Sequence, residues 1–288
     1  MGSTFSIILY GNNHCEIEAA IGAAFAELHR LDQMLSNYRA DSEWSTVNLN
    51  AAHWAVAVSP ELFHLLSKCE HYSEQSAGVF DITVGALMKV WGFYKGNGRL
   101  PGAEEVVSAL ARVGYRHVHL DPAQLKVQFD RPGVELDPGG IGKGYAIDRM
   151  VDILKQRGFT SALVAGSRSS IYGLGTPPTE PKGWRIRVAG AADSRQSATE
   201  VFLQDLAIST SAGFEKFFFA EGKMYSHIID PRTGYPAQGA SLVSVLAPRA
   251  IDSEAWTKPY FIHGPAWTAK HKPIEFRVFF CNGMGTPS

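Results

Sequence analysis

The residues of this chain best suited to chemistry by type and spacing run from Asp137 to Lys143, in the order Asp-Pro-Gly-Gly-Ile-Gly-Lys. A carboxylate, several glycines and an ammonium group in one short run fit a ligand that carries phosphate. Glycine has no side chain, so a ligand can approach its backbone closely. The N–H groups at a helix start attract anions, phosphate above all. Two familiar phosphate signatures fail here. A P-loop requires Ser or Thr after the lysine, and Gly144 stands there. A dinucleotide fingerprint begun at Gly140 requires glycine where Tyr145 stands. A glycine-rich turn packed under a helix explains the run equally well, because glycine clusters mark turns.

The neighbouring elements must position this run. Residues 134–136 are an extended apolar approach. From Gly144 the pattern turns helical, with Ile147, Met150, Val151 and Leu154 at three- and four-residue steps. The stretch therefore reads as strand, glycine turn and helix start. Residues 117–120 and 126–129 alternate around Asp121-Pro122, a hairpin that feeds the turn. His117 and His119 share one face of it, but nothing nearby completes a metal set. Asp81, between Phe80 and Ile82, is either a helix cap or an acid aimed at a ligand, capping being the commoner use.

Elsewhere the periodicity predicts a strand over 4–10 and a helix over 16–35. Residues 36–58 begin polar and irregular, and Tyr38 and Trp44 stand out there as aromatics in a polar loop. Ser59-Pro60-Glu61 starts a helix that runs to about 76 and closes at Gly78. Residues 103–113 form a short helix. Strands follow at 161–165, 171–174, 184–188, 199–203 and 207–211, then a hairpin turning at Glu221-Gly222. A strand over 241–246, a helix over 252–263 and a last strand over 276–281 end the pattern. Residues 176–183, rich in Pro and Thr, read as an exposed loop that can join two lobes.

The 288 residues allow one large domain or two modest ones. Hydrophobic residues make up 45%, enough for a real core. With 27 basic against 28 acidic residues, a nucleic-acid-coating surface or polybasic membrane anchor is disfavoured. Cys15, Cys69 and Cys281 are far apart and make no Cys-x-x-Cys pair, so they read as small buried hydrophobes. No run of about 18 apolar residues, the length that spans a membrane, occurs in the sequence. No signal peptide is visible. The compartment reads as cytoplasmic for the chain as it stands, and extracytoplasmic if an upstream signal has been removed.

Five segments in order resemble the FAD:protein FMN transferase family (ApbE-like). They are Met1-Gly2-Ser3-Thr4, Ser36-Asn37-Tyr38 with Asp41-Ser42-Glu43, Val79-Phe80-Asp81 with Thr83-Val84-Gly85, Asp137 to Asp148, and His227 to Gly234. The resemblance covers nearly the whole chain. Its most specific parts are Gly-Ile-Gly-Lys-Gly-Tyr-Ala and His-Ile-Ile-Asp-Pro-Arg-Thr-Gly. It implies an α+β fold, one mixed, two-lobed, T-fold-like domain over residues 1–288. It implies an enzyme that uses Mg²⁺, splits the pyrophosphate of its substrate FAD and attaches FMN to a Thr or Ser hydroxyl of a target flavoprotein, releasing AMP. The target can be membrane-associated, and no nucleic acid is involved. Two alternatives belong to the same resemblance: an FAD-binding protein without transfer chemistry, and a pyrophosphatase yielding FMN and AMP.

The FAD contacts implied by the resemblance are Met1, Tyr38, Val79, Phe80, Asp81, Asp137, Lys143, His227 and Ile228, with Asp81 and Lys143 catalytic. Lys143 and the helix start would stabilise charge on the breaking pyrophosphate, and Tyr38 would stack on a flavin or adenine ring. The implied metal group is the Gly140 carbonyl with Glu254, Thr257 and Lys258. Here the chain departs from the family, whose second metal segment has the form Asp-Ala-x-x-Thr. Glu254-Ala255-Trp256-Thr257-Lys258 stands in its place. Lys258 falls where the ligand threonine is expected, and an ammonium cannot ligate a metal. Either Asp252 or Thr257 serves instead, or the Lys258 ammonium sits in the metal's place as a point charge. A second departure is Gly166-Ser167-Arg168, where the family commonly has a Gly-Gly pair. Arg168 either contacts a phosphate or is solvated.

Overall fold

A computed structural model of the protein describes residues 3–94, 96–188, 199–238 and 242–281. Met1, and the FAD contact expected there, lies outside the described residues. In chain order the elements are β1 (Phe5–Leu9), α1 (His14–Leu35), α2 (Glu43–Asn50), β2 (Val56–Ala57), α3 (Pro60–Gln75), α4 (Gly85–Val90), α5 (Ala103–Leu110), β3 (Val118–Asp121) and β4 (Lys126–Phe129). The second half adds α6 (Gly142–Gln156), β5 (Ala162–Gly166), β6 (Ser170–Leu174), β7 (Trp184–Val188), β8 (Thr199–Leu203), β9 (Leu206–Ala212), β10 (Phe217–Ala220), β11 (Lys223–Ser226), β12 (Leu242–Ala247), α7 (Ala250–His263), α8 (Pro265–His271) and β13 (Arg277–Cys281). The result is the α+β class read from the sequence.

The chain forms two compact units, each gathered from separate stretches. One holds the described residues of 1–32, 141–212 and 239–288; the other holds those of 33–140 and 213–238. The 176–183 loop lies inside the first unit and does not join it to the second. Among the described residues no helix is long and apolar enough to cross a membrane.

The first unit is built on a six-stranded antiparallel sheet in the order β1-β5-β6-β9-β12-β13. Side chains alternate across a strand, so Ile208 and Ser211 on β9 face opposite sides. The Ser211 side meets α7 through Thr257, and α6 covers the same face with Ile147, Met150, Val151 and Leu154, all buried. Each such side chain contributes about 2 kcal/mol by leaving water. The Ile208 side is covered by the β7–β8 hairpin, where Trp184, Val188, Val201 and Leu203 pack on Ile208 and Leu246. The hairpin sits so close that a Cβ on Gly173 would lie 2.8 Å from both Leu203 Cβ and Trp184 Cδ1.

The second unit carries the three-stranded sheet β2-β4-β3 and the β10–β11 hairpin. Its core gathers Leu87, Trp91, Phe93, Val106, Ala109 and Ile229. The Trp91 indole N–H donates to the Gly234 carbonyl at 2.7 Å. The α3 start follows the sequence reading: Ser59 Oγ accepts from the Leu62 N–H at 3.3 Å. Three helices were not foreseen. α4 and α8 are only six and seven residues long. α2 lies within the polar 36–58 stretch and buries only Trp44 and Val47, too few positions to show a period.

That missed helix sets the approach to the glycine turn, which is not a strand. Glu135 makes one isolated parallel bridge with Val84. Leu136 is gripped by side chains of α2 instead. Asn48 accepts from the Leu136 N–H at 2.7 Å through Oδ1 and donates to its carbonyl at 2.9 Å through Nδ2. Trp44 Nε1 donates to the same carbonyl at 3.1 Å. The Asn48 amide thus does for Leu136 what a neighbouring strand would do.

Of the cysteines, only Cys69 is buried, and burial pushes its thiol up. Cys15 is exposed and Cys281 half-buried, which corrects the reading of all three as buried. In the first unit, α1 is tied to α6 through Glu27. It accepts two bonds from Arg30, each at 2.8 Å, and one from Arg149 Nε at 3.0 Å. The Arg30 hydrogen bonds, aided by Arg149, outweigh burial and hold the Glu27 carboxyl below its usual range. A carboxyl lowered on folding adds stability above its unfolded pKa of about 4.3, and that stability is lost as pH falls through the folded value. Glu27→Gln is therefore expected to cost about 1 kcal/mol at pH 7 and progressively less below pH ~4.3. Urea unfolding of both proteins from pH 7 to 3 measures this; a deficit that does not shrink on acidification contradicts the assignment.

Candidate functional site

The predicted residues divide between the two units. Lys143, Glu254, Thr257 and Lys258 lie in the first; Tyr38, Val79, Phe80, Asp81, Asp137, Gly140, His227 and Ile228 lie in the second. Each group is coherent by itself.

In the first unit the group is organised by an exchange between α6 and α7. Neither helix is capped by a side chain at its N-cap position. Glu254 of α7 accepts from the Gly144 N–H of α6 at 2.6 Å through Oε2. Asp148 of α6 returns the service: Oδ1 accepts from the Ala250 N–H at 2.8 Å and Oδ2 from the Ile251 N–H at 3.0 Å. Each carboxylate also meets the positive end of the other helix. The exchange needs close contact, and Gly144 supplies it: a Cβ there would lie 2.4 Å from the Ala250 oxygen and 2.8 Å from the Ile251 Cα.

Lys143 then lies over this contact. Its ammonium is 2.7 Å from Glu254 Oε1, and Glu254 is only 2% exposed. Burial opposes the charge on Glu254, but Lys143 and Lys258 together outweigh it and hold the carboxyl below its usual range. Lys258 Nζ donates to the backbone carbonyl of Glu254 at 3.3 Å. Thr257 is buried and its hydroxyl is engaged twice. It donates to the Glu254 carbonyl at 2.7 Å and accepts from Ser211 Oγ at 2.7 Å.

In the second unit the group centres on Asp137. Oδ1 accepts from the Gly139 N–H at 2.7 Å and Oδ2 from Asn37 Nδ2 at 3.2 Å. Burial pushes the Asp137 carboxyl up, and these two bonds and the Lys216 ammonium pull it back. Next to Asn37, Tyr38 is 54% exposed and stacks on Tyr94, with ring centres 5.4 Å apart and planes 7° from parallel. The Tyr94 hydroxyl donates to the Asn37 carbonyl. His227 Nδ1 lies 3.1 Å from the Lys216 carbonyl, which fixes it as the protonated nitrogen, and the ring meets Phe93 edge-on at 6.3 Å. Tyr38 and Tyr94 thus form an aromatic platform near the Asp137 carboxylate.

Val79, Phe80 and Asp81 are of another kind. Val79 and Phe80 are buried, and their N–H groups donate to Ser76 O at 3.3 Å and Ser76 Oγ at 2.9 Å. Asp81 Oδ1 accepts from the Thr83 N–H at 2.8 Å and the Thr83 hydroxyl at 2.6 Å; Oδ2 accepts from the Tyr115 N–H at 2.7 Å. Thr83 Oγ1 accepts in turn from the Gly114 N–H at 2.7 Å. Asp81 caps no helix, since α4 starts with Val84 at its N-cap position and no side-chain bond there; its carboxylate instead closes the 81–83 turn and ties it to Tyr115. Ile228 is buried, and its carbonyl accepts from the Ala237 N–H at 2.7 Å. The following Asp230 closes a turn by accepting from the Arg232 N–H at 2.9 Å and from its guanidinium at 3.0 and 2.8 Å. Arg168 is exposed on a tight turn, next to Ser167 with φ 57°.

Sequence reasoning missed Tyr94, Asn37 as a partner of Asp137, and Asp148 with its two N–H donors. Tyr94 sits in a loop without periodicity and gave no signal. Asn37 and Asp148 stood inside the matched segments, but their partners are 100 and 102 residues away.

A resident Mg²⁺ demands an octahedron of oxygens. The side chains present in the first unit do not fit one. Glu254 is already bonded to Gly144 and paired with Lys143, Thr257 has its proton and a lone pair in use, and Lys258 brings a second positive charge. These three are the side chains that the resemblance implies as metal ligands, and in this structure their polar atoms are engaged within the unit. Among the described residues no group of three or more His, Cys, Asp and Glu side chains is placed to hold a metal ion. His117 pairs instead with Asp130 at 3.1 Å.

Fold and site together define a two-unit α+β protein with a lysine-bearing helix start in one unit and an aromatic platform in the other. The same fold is found in the ApbE protein of Thermotoga maritima, with a TM-score of 0.87 and 27% identity over 97% of this chain and 91% of that one. The apo flavinyl transferase ApbE of Pseudomonas stutzeri gives 0.80 and 25%, over 97% and 95%. An FAD:protein FMN transferase of Treponema pallidum is 32% identical over 263 residues, which are 86% of this chain and 72% of that protein. The ApbE family profile matches residues 1–277, and this chain belongs to the ApbE family.

Gly144→Ala is expected to push α6 and α7 apart, break both cap exchanges and destabilise the protein by about 2 kcal/mol or more. A thermal melt unchanged within a degree contradicts the close contact described.

Proposed function

We propose that this protein is an FAD:protein FMN transferase. Membership of the ApbE family over nearly the whole chain, with relatives that bear this name, carries the reading. In it, a Thr or Ser hydroxyl oxygen of a target protein attacks the FMN-side phosphorus of FAD. A new P–O bond forms there, and the P–O bond to the AMP half breaks. AMP leaves with the bridging oxygen, and the hydroxyl proton passes to water. The target supplies the nucleophile, so the chain needs no Ser-His-Asp arrangement of its own.

The chain's contribution is position and charge. Lys143 is oriented by Glu254 at the start of α6, and it stabilises negative charge growing on the bridging oxygen without covalent participation. Tyr38, half-exposed and braced by Tyr94, stacks on a flavin or adenine ring. Asp137 and the 227–228 segment complete the FAD contacts. Val79 and Phe80, whose side chains are buried, contribute backbone surface. Asp81 acts by holding their turn in shape, since its bonds run to Thr83 and Tyr115.

The test is to incubate the protein with FAD and a Thr-containing target domain. AMP release and covalent flavin fluorescence on the target are followed together. Both are expected, and Lys143→Met should slow them about 10²- to 10³-fold. AMP with free FMN and an unlabelled target would instead indicate a pyrophosphatase. FAD binding without AMP would indicate a flavin carrier. A second variant separates the roles of the two acids. Asp81→Ala is expected to lower stability by about 2 kcal/mol, because it strands buried N–H donors. Asp137→Ala should weaken FAD binding with a smaller change in melting temperature.

A further inference from the structure

We propose that the Lys143–Glu254–Lys258 cluster takes the place of a resident divalent metal, so that FMN transfer by this chain proceeds without one. This rests on the transferase reading and deepens it. The cluster sets two ammonium groups around one carboxylate that is only 2% exposed. A buried carboxylate persists as an anion only when it is paired and hydrogen-bonded. Here Lys143 at 2.7 Å, the Gly144 N–H at 2.6 Å and the field of Lys258 supply those partners. A divalent cation seeking Glu254 would have to displace Lys143 and lie beside Lys258, against like charge.

Lys258 is held where it is needed. Its ammonium donates to the Glu254 carbonyl at 3.3 Å, one α7 turn back, and that carbonyl also accepts from Thr257 Oγ1 at 2.7 Å. Thr257 is itself locked by Ser211. The neighbouring threonine hydroxyl is thus spent on orienting the segment that carries the lysine. Two ammonium groups lie by Glu254 near the start of α6, where the helix adds its own positive end. Positive charge is what stabilises the third negative charge that appears as a pyrophosphate diester becomes a phosphodiester and a free phosphate monoester. Lysine provides it as a fixed point charge, with no ligand to exchange.

The experiment measures AMP release and target labelling by the full chain with FAD, in EDTA and in millimolar Mg²⁺. Rates equal within about twofold are expected. Calorimetric titration of Mn²⁺ into the FAD-loaded protein should show no site at this position. Lys258→Met should lower the rate about 10²-fold in both buffers, with the melting temperature recorded to confirm folding. The double variant Glu254→Asp with Lys258→Thr removes one ammonium and frees an oxygen donor, and it should become dependent on Mg²⁺. Activity abolished by EDTA and restored by Mg²⁺ in the unaltered chain overturns the proposal and leaves the transferase reading standing. Full activity of Lys258→Met in EDTA overturns the role of Lys258. No AMP in either buffer overturns the transferase reading, and this inference with it.

Discussion

The exchange of carboxylate caps between α6 and α7 is the constraint on which the first unit depends. A helix begins with N–H groups that have no partner inside it. Here two helix starts lie side by side, and each is satisfied by an acid from the other. The arrangement works only at a separation that forbids a Cβ at position 144. It also fixes α6 in rotation, which brings Lys143 above Glu254 while Ile147, Met150, Val151 and Leu154 face the sheet. Stability and the proposed chemistry therefore share the same few atoms. Altering Glu254 also alters the fold, because one of its oxygens accepts from the Gly144 N–H.

The second unit solves a similar problem with different means. Its irregular backbone at 79–83 and 134–137 runs through buried surroundings, where unpaired polar groups are costly. Side chains supply the missing partners. Asp81 and Thr83 tie the turn to residues 114–115, and Asn48 and Trp44 hold Leu136. These ties end one residue short of Asp137, so its carboxylate emerges from a fixed backbone beside Asn37 and Tyr38. The acids at 81 and 137 look alike in sequence. One is buried with its oxygens bonded to neighbouring turns; the other is half-buried at the edge of an aromatic platform.

Much was legible in the sequence because it rests on local rules. Strands, long helices and the Ser59-Pro60 cap follow from period and from backbone chemistry that neighbouring residues decide. The glycine run around Lys143 announced a turn into a helix, and α6 begins there, at Gly142. The short helix α2 was not legible, since an eight-residue helix with two buried positions has no readable stripe. Its loss mattered, because α2 is what holds the approach to Asp137. The supposed strand before the glycines failed for the same reason: extended backbone can be satisfied by an asparagine amide as well as by a strand.

Fold class, family and the unusual lysine at 258 follow from residue identity and order alone. The partners of Gly144, Glu254, Asp148 and Asp81 emerge only once the chain is folded. Each could have faced a ligand, a metal or a helix end, and all are chemically able to. The choice is made by partners as far as 110 residues away. Burial then makes an unpaired charge or donor too costly to tolerate, and the nearest partner settles the role.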